Sequence, residues 1–355
     1  MRAHGKLCVI SKPILYETQS YLYGKRSIMK SKQFTHSILL LITALVWGIS
    51  FVSQNYGGDA LGSFTFNSIR SFLGGLILIP VILLLDKSGK SPKAPKSSAG
   101  RKQLFIAGGL CGIILCIASN FQQISFSFGA TSGKAGFLTA CYILIVPILG
   151  IFMKKHCPLN VWIGVFLGLI GLYLLCFKEN DGFKIYDILL LICAFIFSLH
   201  IIVIDKYSPL VDGVRMACIQ FFVCGILTAF PMIFMEMGVS LKGIDNETFN
   251  SWLSNFHSFK PLIPLLYSGF ISCGVGYTLQ IVGQEGVNPT VASLLLSFES
   301  VFSVLAGWII LGEHMSKRGI LGCVLIFFAI IISQINFSFF VEKKENFSAH
   351  ALGDS

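Results

Sequence analysis

Four ionisable residues stand inside long apolar runs of this 355-residue chain: Arg70, Lys134, His200 and Glu299. A charge at the centre of a membrane-spanning helix costs about 2.5–3.5 kcal/mol on insertion scales, so each is a candidate for chemistry. Glu299, in Leu296-Ser297-Phe298-Glu299-Ser300, lies too deep for so short a side chain to reach an interface. A carboxyl group there can bind a substrate amine or exchange a proton, or it can join helices as a fixed ion pair or hydrogen bond. Arg70, about two turns into its run, can grip a carboxylate or phosphate with two donors, or extend its guanidinium to the interface. Lys134 lies about one turn inside its run and reads as a snorkelling side chain that attracts anionic solutes to an external mouth. His200 can relay protons, or it can be a hydrogen-bonded structural residue of a helix bundle.

The stretch Gly129-Ala130-Thr131-Ser132-Gly133-Lys134-Ala135 invites a second reading, as a phosphate-binding loop. That loop needs four residues before its Gly-Lys pair and then Ser or Thr to hold magnesium. Here only Ala130, Thr131 and Ser132 intervene and Ala135 follows the lysine, so nucleotide binding is excluded.

The elements that must hold these residues are set by composition. The chain is 54% hydrophobic and 12% charged, against roughly 25% charged in soluble domains. Its apolar residues come in blocks of about twenty, each long enough for one spanning helix. Spans are predicted near 34–55, 64–85, 103–125, 130–153, 160–177, 186–206, 214–236, 261–283, 290–311 and 318–340. The breaks are turn chemistry or charge, as in Tyr56-Gly57-Gly58-Asp59 and Lys154-Lys155-His156.

The net charge of +10 is spread along the flanks of these blocks, which argues against nucleic acid as a partner. With both termini inside, the inner segments hold nineteen Lys and Arg and the outer loops six, so the positive-inside rule puts both ends in the cytoplasm. Eleven cysteines form no CxxC pair and no Cys/His cluster, so neither a disulfide framework nor a metal or other cofactor is expected. Residues 1–33 read as a disordered cytoplasmic tail without a signal-peptide core, and Met29 before the first span as an alternative start. Residues 341–355 read as a second cytoplasmic tail.

The chain also repeats itself. Gly112, Cys116, Gln123, Ile124, Gly129 and Ala135 meet identical residues at Gly269, Cys273, Gln280, Ile281, Gly286 and Ala292, one constant shift of 157 positions. Leu39 to Ile42 meet Leu189 to Ile192 at a shift of 150. The second copy starts after an odd number of spans, so the two halves, 34–177 and 185–340, must lie in opposite orientation. Inverted halves enclose a midplane site that rocking exposes to either side, the architecture of secondary carriers. Residues at equivalent positions gain interest from this. Tyr142 is the counterpart of Glu299, and Asn120 and Gln123 are the counterparts of Tyr277 and Gln280. Trp47, Phe51 and Trp308 are the aromatic residues placed nearest a central cavity, where a ring can stack on a solute or contact a cation.

At Trp47-Gly48-Ile49-Ser50-Phe51, at Phe66 to Arg70, and at the run closing on Leu311-Gly312-Glu313, the sequence resembles the EamA-type drug/metabolite transporters. The first half ends instead on Met153-Lys154-Lys155, without an equivalent of Glu313. The resemblance implies an all-α integral membrane protein of ten transmembrane helices in two inverted five-helix repeats. It also implies outward movement of small metabolites, amino acids or related compounds, across the inner membrane, without enzymatic chemistry or ATP.

The site expected from residues and resemblance together has Arg70 on an anionic group and Glu299 on a cationic group or a coupling proton. Tyr142, Asn120, Gln123, Tyr277 and Gln280 supply hydrogen bonds, Trp47 an aromatic wall, and His200 and Lys134 flank it. The expected partners are a small-molecule substrate, the bilayer and a coupling proton. A gated facilitator of the same fold is the alternative, as is a membrane enzyme or sensor of lipid-linked substrates.

Overall fold

The computed structural model describes residues 12–154, 157–176, 183–240, 243–311 and 316–334. In chain order these form α1 (Lys12–Leu61), α2 (Ser63–Lys87), α3 (Ser98–Ser127), α4 (Ser132–Ala140), α5 (Tyr142–Phe152), α6 (Leu159–Cys176) and α7 (Ile185–Tyr207). The second half continues with α8 (Gly213–Pro231), the hairpin β1 (Val239–Ser240) and β2 (Gly243–Ile244), α9 (Asn246–Ser254) and α10 (Leu262–Leu266). It ends with α11 (Thr278–Gln284), α12 (Pro289–Leu296), α13 (Glu299–Leu311) and α14 (Lys317–Gln334). A π-helical stretch, Tyr267–Tyr277, joins α10 to α11.

Among the described residues, eight helical segments are long and apolar enough to cross a membrane, from Gln33–Leu61 through Pro289–Ile310, and Leu159–Leu174 is a shorter apolar helix. Uncapped helix ends inside an apolar medium leave backbone donors unpaired, and the chain supplies side chains where they are needed. Ser97 accepts from Gly100 N–H at the start of α3, Thr131 from Lys134 N–H at α4, and Asp212 from Arg215 N–H at α8. The start of α2 has Gly62 at its cap position, with φ +93°. Glu236, from the helical turn that follows α8, takes over the capping. Its carboxylate accepts from Phe64 N–H (2.8 Å), Thr65 N–H (2.7 Å) and the Thr65 hydroxyl (2.6 Å). A side chain at position 62 would occupy the space of that carboxylate.

The packing crosses between the halves throughout: α1 on α13, α2 on α8, α3 on α7 and α8. Gly48 permits the first of these, since a Cβ there would collide with Phe302 Cβ and fall 2.7 Å from the Glu299 carbonyl oxygen. α6 and α14 pack on each other, tied by Asn160 Nδ2 to the Ser333 carbonyl at 3.1 Å.

Three expectations are changed. The segment 12–32, read as part of a disordered tail, has a helical backbone continuous with the first span. It holds only Gly24 as an interior helix breaker, and extension of an existing helix needs no new nucleus. Trp308 lies on the outer side of α13 and is 50% exposed, away from the cavity. Two predicted single spans are interrupted at mid-length, α4 from α5 at Cys141 and α12 from α13 at Ser297–Phe298. Glu313, residues 1–11 and residues 335–355 lie outside the described residues.

Candidate functional site

The face of α1 that points inward carries Trp47, Phe51 and Gln54, spaced four and three apart and therefore stacked on one side of the helix. On α7, Phe197 and Ile201 make a similar pair. Ser272 and Tyr277 are five residues apart, which an α-helix would separate around its girth but the π-helical stretch brings to the same side. These residues line a narrow cavity completed by Arg70, Gln122, Thr139, Tyr142, Gln280, Leu296 and Glu299. Residues from α6, α8 and α14 do not line it.

The two interrupted helices meet at this cavity. Tyr142 is the first residue of α5 and Glu299 the first of α13, and Tyr142 Oη donates to Glu299 Oε1 at 2.9 Å. The backbone stays hydrogen-bonded across both interruptions, Leu144 N–H donating to the Cys141 carbonyl, Phe298 N–H to that of Leu295 and Ser300 N–H to that of Ser297. Glu299 is 3% exposed and forms no ion pair with any described residue.

Arg70 enters from α2, 5% exposed, with its Cζ 5.7 Å from the centre of the Phe66 ring. Its Nε donates to Asn67 Oδ1 at 2.8 Å. No described carboxylate pairs with it. A cation and an acid therefore line one cavity without neutralising each other. Tyr277 packs at the cavity wall, 4.5 Å from Trp47 and 5.4 Å from Phe221 between ring centres. Among the described residues Trp47 Nε1, Gln54 Oε1 and Gln280 Oε1 are buried without a hydrogen-bond partner.

Of the expected site residues, six line this cavity: Arg70, Glu299, Tyr142, Tyr277, Gln280 and Trp47. The other four lie behind or beside it. Asn120 bonds Asn67 and Thr228, Gln123 donates to the Gln54 carbonyl at 2.9 Å, and His200 Nε2 meets Gln220 Oε1 at 3.2 Å. Lys134, expected to snorkel, is 4% exposed and pairs with Asp187 of α7 at 3.2 Å. A counter-ion at its own depth makes the reach to an interface unnecessary. Sequence reasoning missed Asp187, Gln54, Gln122, Thr139 and Ser272; all but Asp187 are neutral, and Asp187 stands at a span end where acids are common.

Both sets of apolar helices that hold this cavity are matched by known sequences. The EamA-like transporter family matches residues 35–177 and again residues 184–334. The chain belongs to the EamA-like transporter family. It is thus a multi-pass membrane transporter of the drug/metabolite transporter superfamily. The chain is similar to an uncharacterized transporter of Archaeoglobus fulgidus, 28% identical over 302 residues, 83% of this chain and 84% of that one. It is also similar to the uncharacterized transporter YoaV of Bacillus subtilis, 23% identical over 301 residues, 84% of this chain and 96% of that one. A solved crystal structure, 16% identical, superposes with a TM-score of 0.63 over 85% of this chain and 98% of its own, an agreement of fold. The cavity lies between the two EamA-like copies: Arg70 and Tyr142 come from the first, Tyr277, Gln280 and Glu299 from the second.

Proposed function

We propose that this EamA-like transporter moves a small zwitterionic metabolite, an amino acid or a related compound, by alternating access between two inverted five-helix halves. The observation that carries the proposal is the cavity itself. Arg70 and Glu299 line it from opposite copies, each buried and neither in an ion pair. Burying one unpaired charge costs several kcal/mol, and a zwitterion offsets both charges at once. In this reading Arg70 binds the carboxylate, Glu299 binds the ammonium or carries a coupling proton, and Trp47, Phe51 and Phe197 contact the remainder.

The positions of the helix breaks support inverted halves. Cys141 and Tyr142 shifted by 157 fall on Phe298 and Glu299, so both copies are interrupted at the same place. Ten spans follow if α6 and α14 cross the bilayer, with both termini cytoplasmic, in a cell inner membrane and working in the direction of export. The experiment is uptake by proteoliposomes of a pooled set of amino acids, nucleosides and small phosphates, read by mass spectrometry with and without a proton gradient. Selective entry of amino acids above empty vesicles is expected. No entry from folded protein would overturn the proposal.

A further inference from the structure

Arg70 does not hold its own orientation, and the groups that hold it form a directed chain. Asn67, one turn earlier on α2 and fully buried, accepts from Arg70 Nε at 2.8 Å through its Oδ1. The Nδ2 of the same amide donates to Asn120 Oδ1 at 2.7 Å and to the Ser119 hydroxyl at 3.0 Å. Asn120 is oriented in turn, because its own Nδ2 donates to Thr228 Oγ1 at 3.0 Å and to Cys116 Sγ at 3.4 Å. A rotation of the Asn67 amide by half a turn would set its N–H groups against the Arg70 donor and its oxygen against the Asn120 oxygen. Each amide therefore has one allowed orientation, and Thr228 of α8 anchors the series from the second EamA-like copy.

An arginine has five N–H donors in a planar fork. With Nε engaged, the edge that carries both terminal nitrogens is left for the cavity, the end-on face that accepts two carboxylate or phosphate oxygens in parallel. We infer that Asn67 is the positioning residue of the transport site: through Arg70 Nε it sets the guanidinium end-on to the anionic group of the solute. It touches no solute itself. The same network explains why Asn120, a solute ligand by sequence reasoning, stands behind the cavity wall. The inference rests on the assignment of Arg70 to the solute anion.

The test uses the full-length protein in proteoliposomes with an α-amino acid and its carboxamide, L-leucine and L-leucinamide as the first pair, since the amide lacks the carboxylate. Asn67→Ala is expected to raise the KM for the amino acid about tenfold, as expected for loss of one charge-assisted hydrogen bond, with unchanged maximal rate. Inhibition by the carboxamide should stay unchanged. Asn67→Asp, which offers Arg70 a permanent counter-ion, should raise that KM further. In an Arg70→Lys background, where no Nε exists, Asn67→Ala should add little, a non-additivity that packing damage would not produce. Equal loss for amino acid and carboxamide, or full additivity with Arg70→Lys, would overturn the inference while leaving Arg70 as ligand. Wild-type transport by Arg70→Ala, or no α-amino acid entering wild-type vesicles, would overturn the assignment of Arg70 and this inference with it.

Discussion

Loss of Lys134 should destabilise the protein far more than its place near a span end suggests. Lys134 and Asp187 are 4% and 2% exposed and 3.2 Å apart. Asp187 Oδ2 also accepts from Lys184 N–H at 2.8 Å, while its Oδ1 has no partner. Lys134→Met leaves that carboxylate buried with one backbone donor, and removal of one member of a buried pair costs about 3–5 kcal/mol. Asp187→Asn should cost about 1 kcal/mol less, because the Lys134 Nζ stands 5.0 Å from the Tyr186 ring centre and keeps that attraction. The double variant has no buried charge, retains an acceptor for Lys184 N–H, and should return to within about 1–2 kcal/mol of wild type. Thermal unfolding in detergent, followed with a thiol-reactive dye on the buried cysteines, measures all three. All nine cysteines whose side chains are described are buried or half-buried before unfolding. Loss by the double variant equal to the sum of the single losses would refute the reasoning, as would a single Lys134→Met that melts like wild type.

Three further outcomes follow from the geometry. Gly48→Ala should cost about 1–3 kcal/mol and reduce transport, because its Cβ meets Phe302 and the backbone of Glu299; melting and solute uptake both report it. Glu236→Ala should lower stability by roughly 1–3 kcal/mol, with three donors of α2 left without an acceptor, and leave the KM unchanged. Trp47→Ala should impair uptake strongly while Trp308→Ala, half exposed on the outer side of α13, should not; the paired uptake assay decides it.

Much of the fold is legible in the sequence because blocks of about twenty apolar residues admit few other structures. Most helix positions agree with the predicted spans to within a few residues, as from 130–153 to Ser132–Phe152, whereas α1 runs on through Tyr56-Gly57-Gly58-Asp59, read as a turn, to Leu61. The interruptions were hidden, since neither Cys141 nor Ser297-Phe298 is a helix breaker by type. They fall where α4 packs on α13 and α5 on α12, contacts between residues far apart in the sequence. The π-helical stretch was hidden too, and it packs against α1 and α2, far away in the sequence. Intramembrane charge was a sufficient signal to place Arg70 and Glu299 at the cavity. It misdirected Lys134, whose partner Asp187 lies in another helix and was invisible to local reading. Repeat symmetry found Tyr142 through Glu299. It could not separate Tyr277 and Gln280, which face the cavity, from Asn120 and Gln123, which support it from behind.

The central claim is that Arg70 and Glu299 together bind a zwitterion inside an EamA-like carrier. Amino-acid flux into proteoliposomes, quantified by mass spectrometry for wild type, Arg70→Ala and Glu299→Gln, tests it most directly. The account predicts selective entry with wild type and its loss in both variants while they still fold. Wild-type flux through both folded variants would contradict it.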